Sequence, residues 1–173
     1  MTILSVFNKP KNILELFSFD ITKFFSDNDY EEVQSNDIDG IFMVEFEKQL
    51  PHVELSLFDK VVFRMFNNKK NITGSNHVNI TFPANDRYIT KSRMKSLINT
   101  LFDIYGHDDE HRGEWCETDD QDYADKTLER EWILGEGKEI YTIKLSFTEK
   151  YGFLVKILFF NHLIEVLKKE EEE

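Results

Sequence analysis

The stretch from Ile140 to Phe160, which reads IYTIKLSFTEKYGFLVKILFF, decides the fold of this chain. In its first half the apolar side chains occupy every second position, at Tyr141, Ile143, Leu145 and Phe147. A period of two residues is typical of a β-strand with one buried and one solvated face. Residues 148–152 have the length and composition of a turn between antiparallel neighbours. The stretch therefore predicts a β-hairpin, and with it an α+β fold built on an antiparallel sheet.

Several other segments also have the apolar pattern of strands. They are 41–47, 53–58 and 61–66 (one long strand or two short ones), 78–82, and a strand that begins at Trp132. Pro83 ends one of them, because proline has no amide hydrogen for the ladder. We expect about six or seven strands, mostly antiparallel.

The clearest helix is predicted over 91–105. Its apolar residues recur at intervals of three and four positions, at Met94, Leu97, Ile98, Leu101, Ile104 and Tyr105. Thr90 is a suitable N-cap, and Gly106 is suited to a left-handed ending. Weaker patterns predict a short helix followed by a strand within 13–25, and a final helix from Asn161. We expect two or three helices on one face of the sheet, with the stripe of the 91–105 helix packed against the hairpin.

Composition places the chain among soluble proteins of a single domain. Its 173 residues are about one domain in length, and its 16 phenylalanines predict an aromatic core. One cysteine excludes an intramolecular disulfide framework. No apolar run approaches the roughly 20 residues of a membrane-spanning helix, and polar residues interrupt residues 1–17 where a signal peptide is apolar. We therefore predict a cytoplasmic protein, with 1–173 as one globular domain.

The charge of the chain is concentrated. The net charge is −12, with −6 in residues 20–39 and −8 in residues 107–131, where eleven acidic residues meet three basic ones. We interpret both ranges as acidic segments between structural elements, and 168–173 as a frayed acidic tail. An acidic surface excludes nucleic acid as a partner, because phosphate contacts need basic side chains.

The second acidic segment is the best candidate for a partner-binding site. Trp115 lies among its charges, and an aromatic side chain within a polar ring is a common binding anchor. The predicted contact residues are Trp115, Glu117, Asp119, Asp120 and Asp122. The leading hypothesis is a non-enzymatic acidic module, of the inhibitor or immunity type, that engages a basic protein surface. The alternative is that the segment is only a solvated insertion.

The start of the 91–105 helix is a candidate anion site. Basic residues crowd its first turns, where positive charge opposes the helix dipole. The free amides of that turn, with Thr90, Lys91, Ser92 and Arg93, suit a phosphate or carboxylate. The alternative is that one of the protein's own acidic segments folds over this turn and neutralises it.

The remaining chemistry lies in the residues between 107 and 116. His107, His111 and Cys116 are residue types that bind zinc, although their spacing matches no established zinc motif. A metal there supports the alternative function, a small metal-dependent hydrolase or small-ligand enzyme. We find no phosphate-binding glycine loop, dinucleotide fingerprint or nucleophile elbow, and therefore expect no cofactor.

Overall fold

The structure is a computed structural model that describes residues 31–38, 41–50, 57–68, 77–135 and 141–160. These residues form seven strands: β1 (Glu31–Ile38), β2 (Ile41–Gln49), β3 (Lys60–Asn68), β4 (His77–Pro83), β5 (Thr127–Leu134), β6 (Tyr141–Thr148) and β7 (Gly152–Phe160). They also form two α-helices, α1 (Lys91–Tyr105) and α2 (Glu117–Asp125), and a 3₁₀ turn at Asp86–Tyr88.

The strands form one sheet in the order β1-β2-β3-β4-β7-β6-β5. Every neighbouring pair is antiparallel, which confirms the predicted α+β class. The chain leaves the sheet after β4, passes through both helices and returns as β5 at the far edge. It then comes back through β6 and β7 to meet β4. The helical crossover therefore delivers the second acidic segment to the β5 edge.

The predicted hairpin is formed by β6 and β7. Tyr141 lies opposite Phe159, and Thr148 lies opposite Gly152 at the turn. Gly152 has φ 64°, a left-handed conformation that a residue without Cβ adopts at little cost. Ile143 and Leu145 are fully buried, as the alternating pattern predicts, but Phe147 is only partly buried and Thr142, on the face predicted to be solvated, is buried as well.

Helix α1 has the predicted bounds, but Gly106 has ψ −154° and so does not adopt the predicted left-handed helical conformation. The Thr90 hydroxyl accepts a hydrogen bond from the Arg93 amide (3.3 Å), and Gly106 follows the helix with φ 82°. Its buried residues are Met94, Ile98 and Leu101, which belong to the same hydrophobic cluster as Ile143 and Leu145. The stripe therefore lies in the core to which the hairpin also contributes, with Leu97 only partly buried. Direct packing of the stripe on the hairpin face stays a prediction.

Helix α2 packs on the sheet through a row of three aromatic rings. The ring of Tyr123 is stacked on that of Phe147, with centroids 5.4 Å apart. The ring of Trp115 meets Tyr123 edge-on at 6.3 Å. These contacts attach a helix that is otherwise mostly polar.

Several predicted boundaries are wrong. Strand β1 occupies 31–38, inside the range 20–39 that we interpreted as a connection, because backbone pairing with β2 sets it rather than side-chain alternation. Strand β5 ends near Trp132 instead of beginning there. Phe58 makes only an isolated bridge to Ala84, and β3 begins at Lys60.

Other expectations lie outside the described residues. They are the helix and strand within 13–25, most of the strand at 53–58, the helix from Asn161 and the tail at 168–173. Among the described residues, neither helix has the length and apolar character needed to cross a membrane.

Candidate functional site

The second acidic segment, residues 107–131, is folded against the β5 edge rather than extended into solvent. It comprises a loop, helix α2 and the first part of β5. The burial of β5 alternates, with Leu128, Arg130 and Trp132 on the inward side. An arginine therefore occupies an inward position between two large apolar side chains.

Arg130 is the centre of a buried ion cluster. It is 1 % exposed, and it meets two carboxylates that are almost as completely buried, Asp119 at 0 % and Asp108 at 4 %. Its Nη1 donates to Asp119 Oδ2 at 2.9 Å, and its Nε lies 2.5 Å from Asp108 Oδ2. Burying a charge is costly unless it is paired, so each member of this cluster requires the others.

Arg130 also donates hydrogen bonds to backbone carbonyls of the loop. Its Nη2 donates to the Gly113 carbonyl at 2.6 Å and to the Arg112 carbonyl at 3.2 Å. Its guanidinium lies 5.4 Å from the centroid of the Trp132 ring, and the Trp132 indole donates to the Gly106 carbonyl at 3.0 Å. These contacts attach both ends of the loop to β5.

Arg112 is the second cation of the cluster. Its Nε donates to Asp108 Oδ2 at 3.0 Å and its backbone amide to Asp108 Oδ1 at 2.7 Å. Its Nη1 lies 3.6 Å from Asp119 Oδ1. Two arginines and two aspartates thus interleave, and the formal charges of the buried group cancel.

Two atoms of the cluster are held by charge without a well-directed hydrogen bond. The Nε of Arg130 and the Oδ1 of Asp119 are buried and have no partner with hydrogen-bond geometry. Each is nevertheless within ion-pair distance of an opposite charge, Asp108 and Arg112 respectively. At these distances Coulomb attraction opposes the desolvation cost of the two atoms.

The predicted partner-binding residues divide into two groups. Trp115 and Asp119 are buried, and Trp115 belongs to the hydrophobic cluster, with its amide donating to Asn99 Oδ1 at 2.8 Å. These two residues are therefore not part of the exposed surface. Glu117 and Asp120 are exposed, and Asp122 is half-buried.

At the start of α1 one basic residue, Lys91, is paired with a carboxylate of the second acidic segment, as expected if the protein's own acidic residues lie over this turn. Lys91 Nζ lies 2.8 Å from Asp120 Oδ1, which also accepts from Trp115 Nε1 at 2.5 Å. The hydrogen bond from Lys91, followed by that from Trp115, lowers the pKa of the Asp120 carboxyl below its usual value. Arg93 donates to the Tyr88 carbonyl, and Ser92 is exposed.

The candidate metal ligands are not brought together. His107 meets the ring of Phe102 edge-on at 5.2 Å, and His111 is exposed with φ 61°. The Cys116 thiol lies 3.4 Å from Asp119 Oδ2, which also accepts from the Cys116 amide at 2.9 Å. Within the part of the chain that the structure describes, no three histidine, cysteine or acidic residues are arranged to hold a metal ion.

Sequence reasoning did not single out Asp108, Arg112 or Arg130. The signal was the spacing Leu128-x-Arg130-x-Trp132, which places an arginine on the apolar side of a strand. A buried arginine requires carboxylates nearby, and the eleven acidic residues of the segment supply them. Which two of the eleven face inward depends on the path of the loop.

Lys126 offers a test of the backbone at the end of α2. It has φ 55° and ψ 44°, a left-handed conformation that strains a side chain with Cβ. We expect Lys126→Gly to raise the free energy of unfolding by up to about 1 kcal/mol, since glycine adopts this conformation freely. Urea denaturation measures the change. Lys126→Ala keeps the strain but removes the charge, and equal gains for both variants would contradict this explanation.

The exposed surface of the segment remains acidic. Seven of its carboxylates are exposed, at Asp109, Glu110, Glu114, Glu117, Asp120, Asp125 and Glu129. A cleft of about 70 Å³ lies between the loop and the strands, with Asp109, Glu131 and Lys144 in its lining. Lys144 is paired across the sheet with Glu129 at 3.2 Å.

Comparison with known proteins gives no match to this chain, neither among models of protein families, nor among curated proteins, nor among solved structures. The functional argument therefore depends on the geometry of the acidic segment.

Proposed function

We propose that this protein is a non-enzymatic protein-binding module, of the small acidic inhibitor or immunity type, that engages a basic partner surface. The contact surface is formed by the exposed carboxylates of residues 109–129. The observation that supports this proposal is the buried ion cluster, which holds an acidic segment in one conformation while most of its carboxylates face solvent.

The acidic segment has more negative charges than its basic partners neutralise. Asp108 and Asp119 are neutralised inside by Arg112 and Arg130. Nine of the eleven acidic residues remain, and Lys126 is the one further basic residue of the segment. Lys91 and Lys144 reach in from α1 and β6 to pair with Asp120 and Glu129. The carboxylates that remain in excess are suited to lysines and arginines of another protein.

A folded acidic surface has two advantages over a solvated insertion. Its field steers a basic partner, which raises the association rate at low salt. Its backbone is already ordered, so binding loses less conformational entropy than the folding of a disordered segment. The alternative function, a metal-dependent hydrolase, has no supporting arrangement of ligands among the described residues.

The experiment reverses three exposed charges while leaving the buried cluster intact. We expect the variant Glu114→Lys/Glu117→Lys/Asp125→Lys to lose the partners that the parent protein captures from native lysate at low salt. Among the described residues, the ion pairs of Arg112 and Arg130 involve none of these three side chains, so the fold should be retained, and circular dichroism checks this. The bound fraction is measured by quantitative mass spectrometry.

A matched control changes the net charge by the same amount elsewhere. Asp86, Asp103 and Glu149 are exposed acidic residues outside the segment. The variant Asp86→Lys/Asp103→Lys/Glu149→Lys should capture the same partners as the parent. Equal loss in both variants would mean that only overall charge matters, and retention in both would show that the segment is not the contact surface.

A further inference from the structure

Strand β5 is at one end of the sheet order, so one of its edges is not paired with another of the strands that the structure describes. An unpaired edge presents amide and carbonyl groups that readily pair with a strand of another molecule. In β5 the outward-facing backbone groups include those of Glu129 and Glu131, because both carbonyls accept hydrogen bonds from outside the ladder with β6.

The loop residues 107–112, which we call the edge cover, occupy these two carbonyls. The Asp109 amide donates to the Glu131 carbonyl at 2.8 Å. The Arg112 Nη2 donates to the Glu129 carbonyl at 2.6 Å. The cover thus makes bonds that a neighbouring strand would otherwise make.

The buried ion cluster fixes the edge cover in place. Asp108 forms ion pairs with both Arg112, within the cover, and Arg130, on the strand itself. A tight turn completes the cover, with the His111 amide donating to the Asp108 carbonyl at 2.9 Å. Asp109 is the second residue of that turn, so its amide is free to point at β5.

We propose that the edge cover conceals a strand-pairing surface, and that the molecule it excludes is a second copy of this chain. An antiparallel β5–β5 pair is self-complementary about a two-fold axis, which closes the assembly as a dimer. In a pair centred on Arg130, Glu129 would lie opposite Glu131 of the second copy. Like charges directly opposite are unfavourable, so these two carboxylates form a second barrier behind the cover.

The test removes the backbone donor of the cover. Asp109→Pro lacks the amide that bonds the Glu131 carbonyl, and proline is favoured at the second position of a turn. Asp109→Ala is the matched control, because it removes the same carboxylate and keeps the amide. Analytical ultracentrifugation over a range of concentrations should show the mass of the proline variant rising towards twice that of the parent, while the alanine variant follows the parent.

A second change identifies the surface involved. The Glu131 amide points away from β6, so Glu131→Pro removes an edge donor without breaking the ladder. Added to Asp109→Pro, it should restore the mass of the parent. Association that persists in this double variant overturns the proposal, since it would arise from another surface.

A further variant removes both hydrogen bonds between the edge cover and β5, in case one of them alone is enough to hold the cover in place. In Asp109→Pro/Arg112→Ala neither edge carbonyl has its partner. If this protein retains the secondary structure of the parent and its mass at every concentration, the edge is not a pairing surface and the proposal fails.

Discussion

Arg130→Met should lower the free energy of unfolding by about 3–5 kcal/mol, because removing one partner leaves buried charge uncompensated. Asp119 would lose the cation 2.9 Å away, and Asp108 would keep only Arg112. Methionine fills much of the arginine volume, so the loss measures charge pairing more than packing. Chemical denaturation followed by tryptophan fluorescence provides the measurement, since Trp115 and Trp132 are both buried.

A double variant separates charge from shape. Asp119→Asn keeps an acceptor for the Cys116 amide and removes the negative charge. In Arg130→Met/Asp119→Asn the remaining Arg112 and Asp108 still balance. We expect the double variant to be more stable than Arg130→Met alone, with a coupling in the range of about 0.5–3 kcal/mol.

The control is an ion pair on the opposite side of the same strands. Lys144 and Glu129 are 3.2 Å apart and partly exposed. Lys144→Met should change stability by no more than about 1 kcal/mol, as solvent screens such pairs. If Arg130→Met is no more destabilising than Lys144→Met, the buried cluster does not hold the acidic segment in place.

Leu101→Ala should lower the free energy of unfolding by about 2–5 kcal/mol, because it opens a cavity in a closely packed core. Leu101 is fully buried on the inward side of α1, in the same cluster as Ile98 and Ile143. Such a loss is a large part of the roughly 5–15 kcal/mol by which domains are stable. The shift of the urea midpoint measures it.

Leu97 is the internal control for the orientation of the helix. It belongs to the same apolar stripe but is only partly buried. Leu97→Ala should therefore be clearly less destabilising than Leu101→Ala, since less surface is lost from the core. Equal losses would mean that α1 is rotated relative to the orientation described here, and negligible losses in both would mean that the helix does not contribute to the core.

The sequence by itself determined the elements whose signals are local. The β6–β7 hairpin follows from alternation over Tyr141–Thr148 and from the turn at Gly152. Helix α1 follows from its apolar stripe between Thr90 and Gly106. In both elements the residues that set the structure lie within a few positions of one another. Composition and spacing therefore suffice to predict them.

Only the tertiary structure decided where the acidic residues lie. Strand β1 has no apolar pattern of its own and exists through pairing with β2. Asp120 neutralises Lys91 across 29 positions, and Arg130 selects Asp108 and Asp119 from eleven acidic residues. Electrostatic pairing depends on the distance between charges in space. The path of the crossover from β4 to β5 sets these distances, and no periodic pattern in the sequence predicts them. The sequence thus predicted an acidic segment, whereas the fold determined which carboxylates are buried and which face solvent.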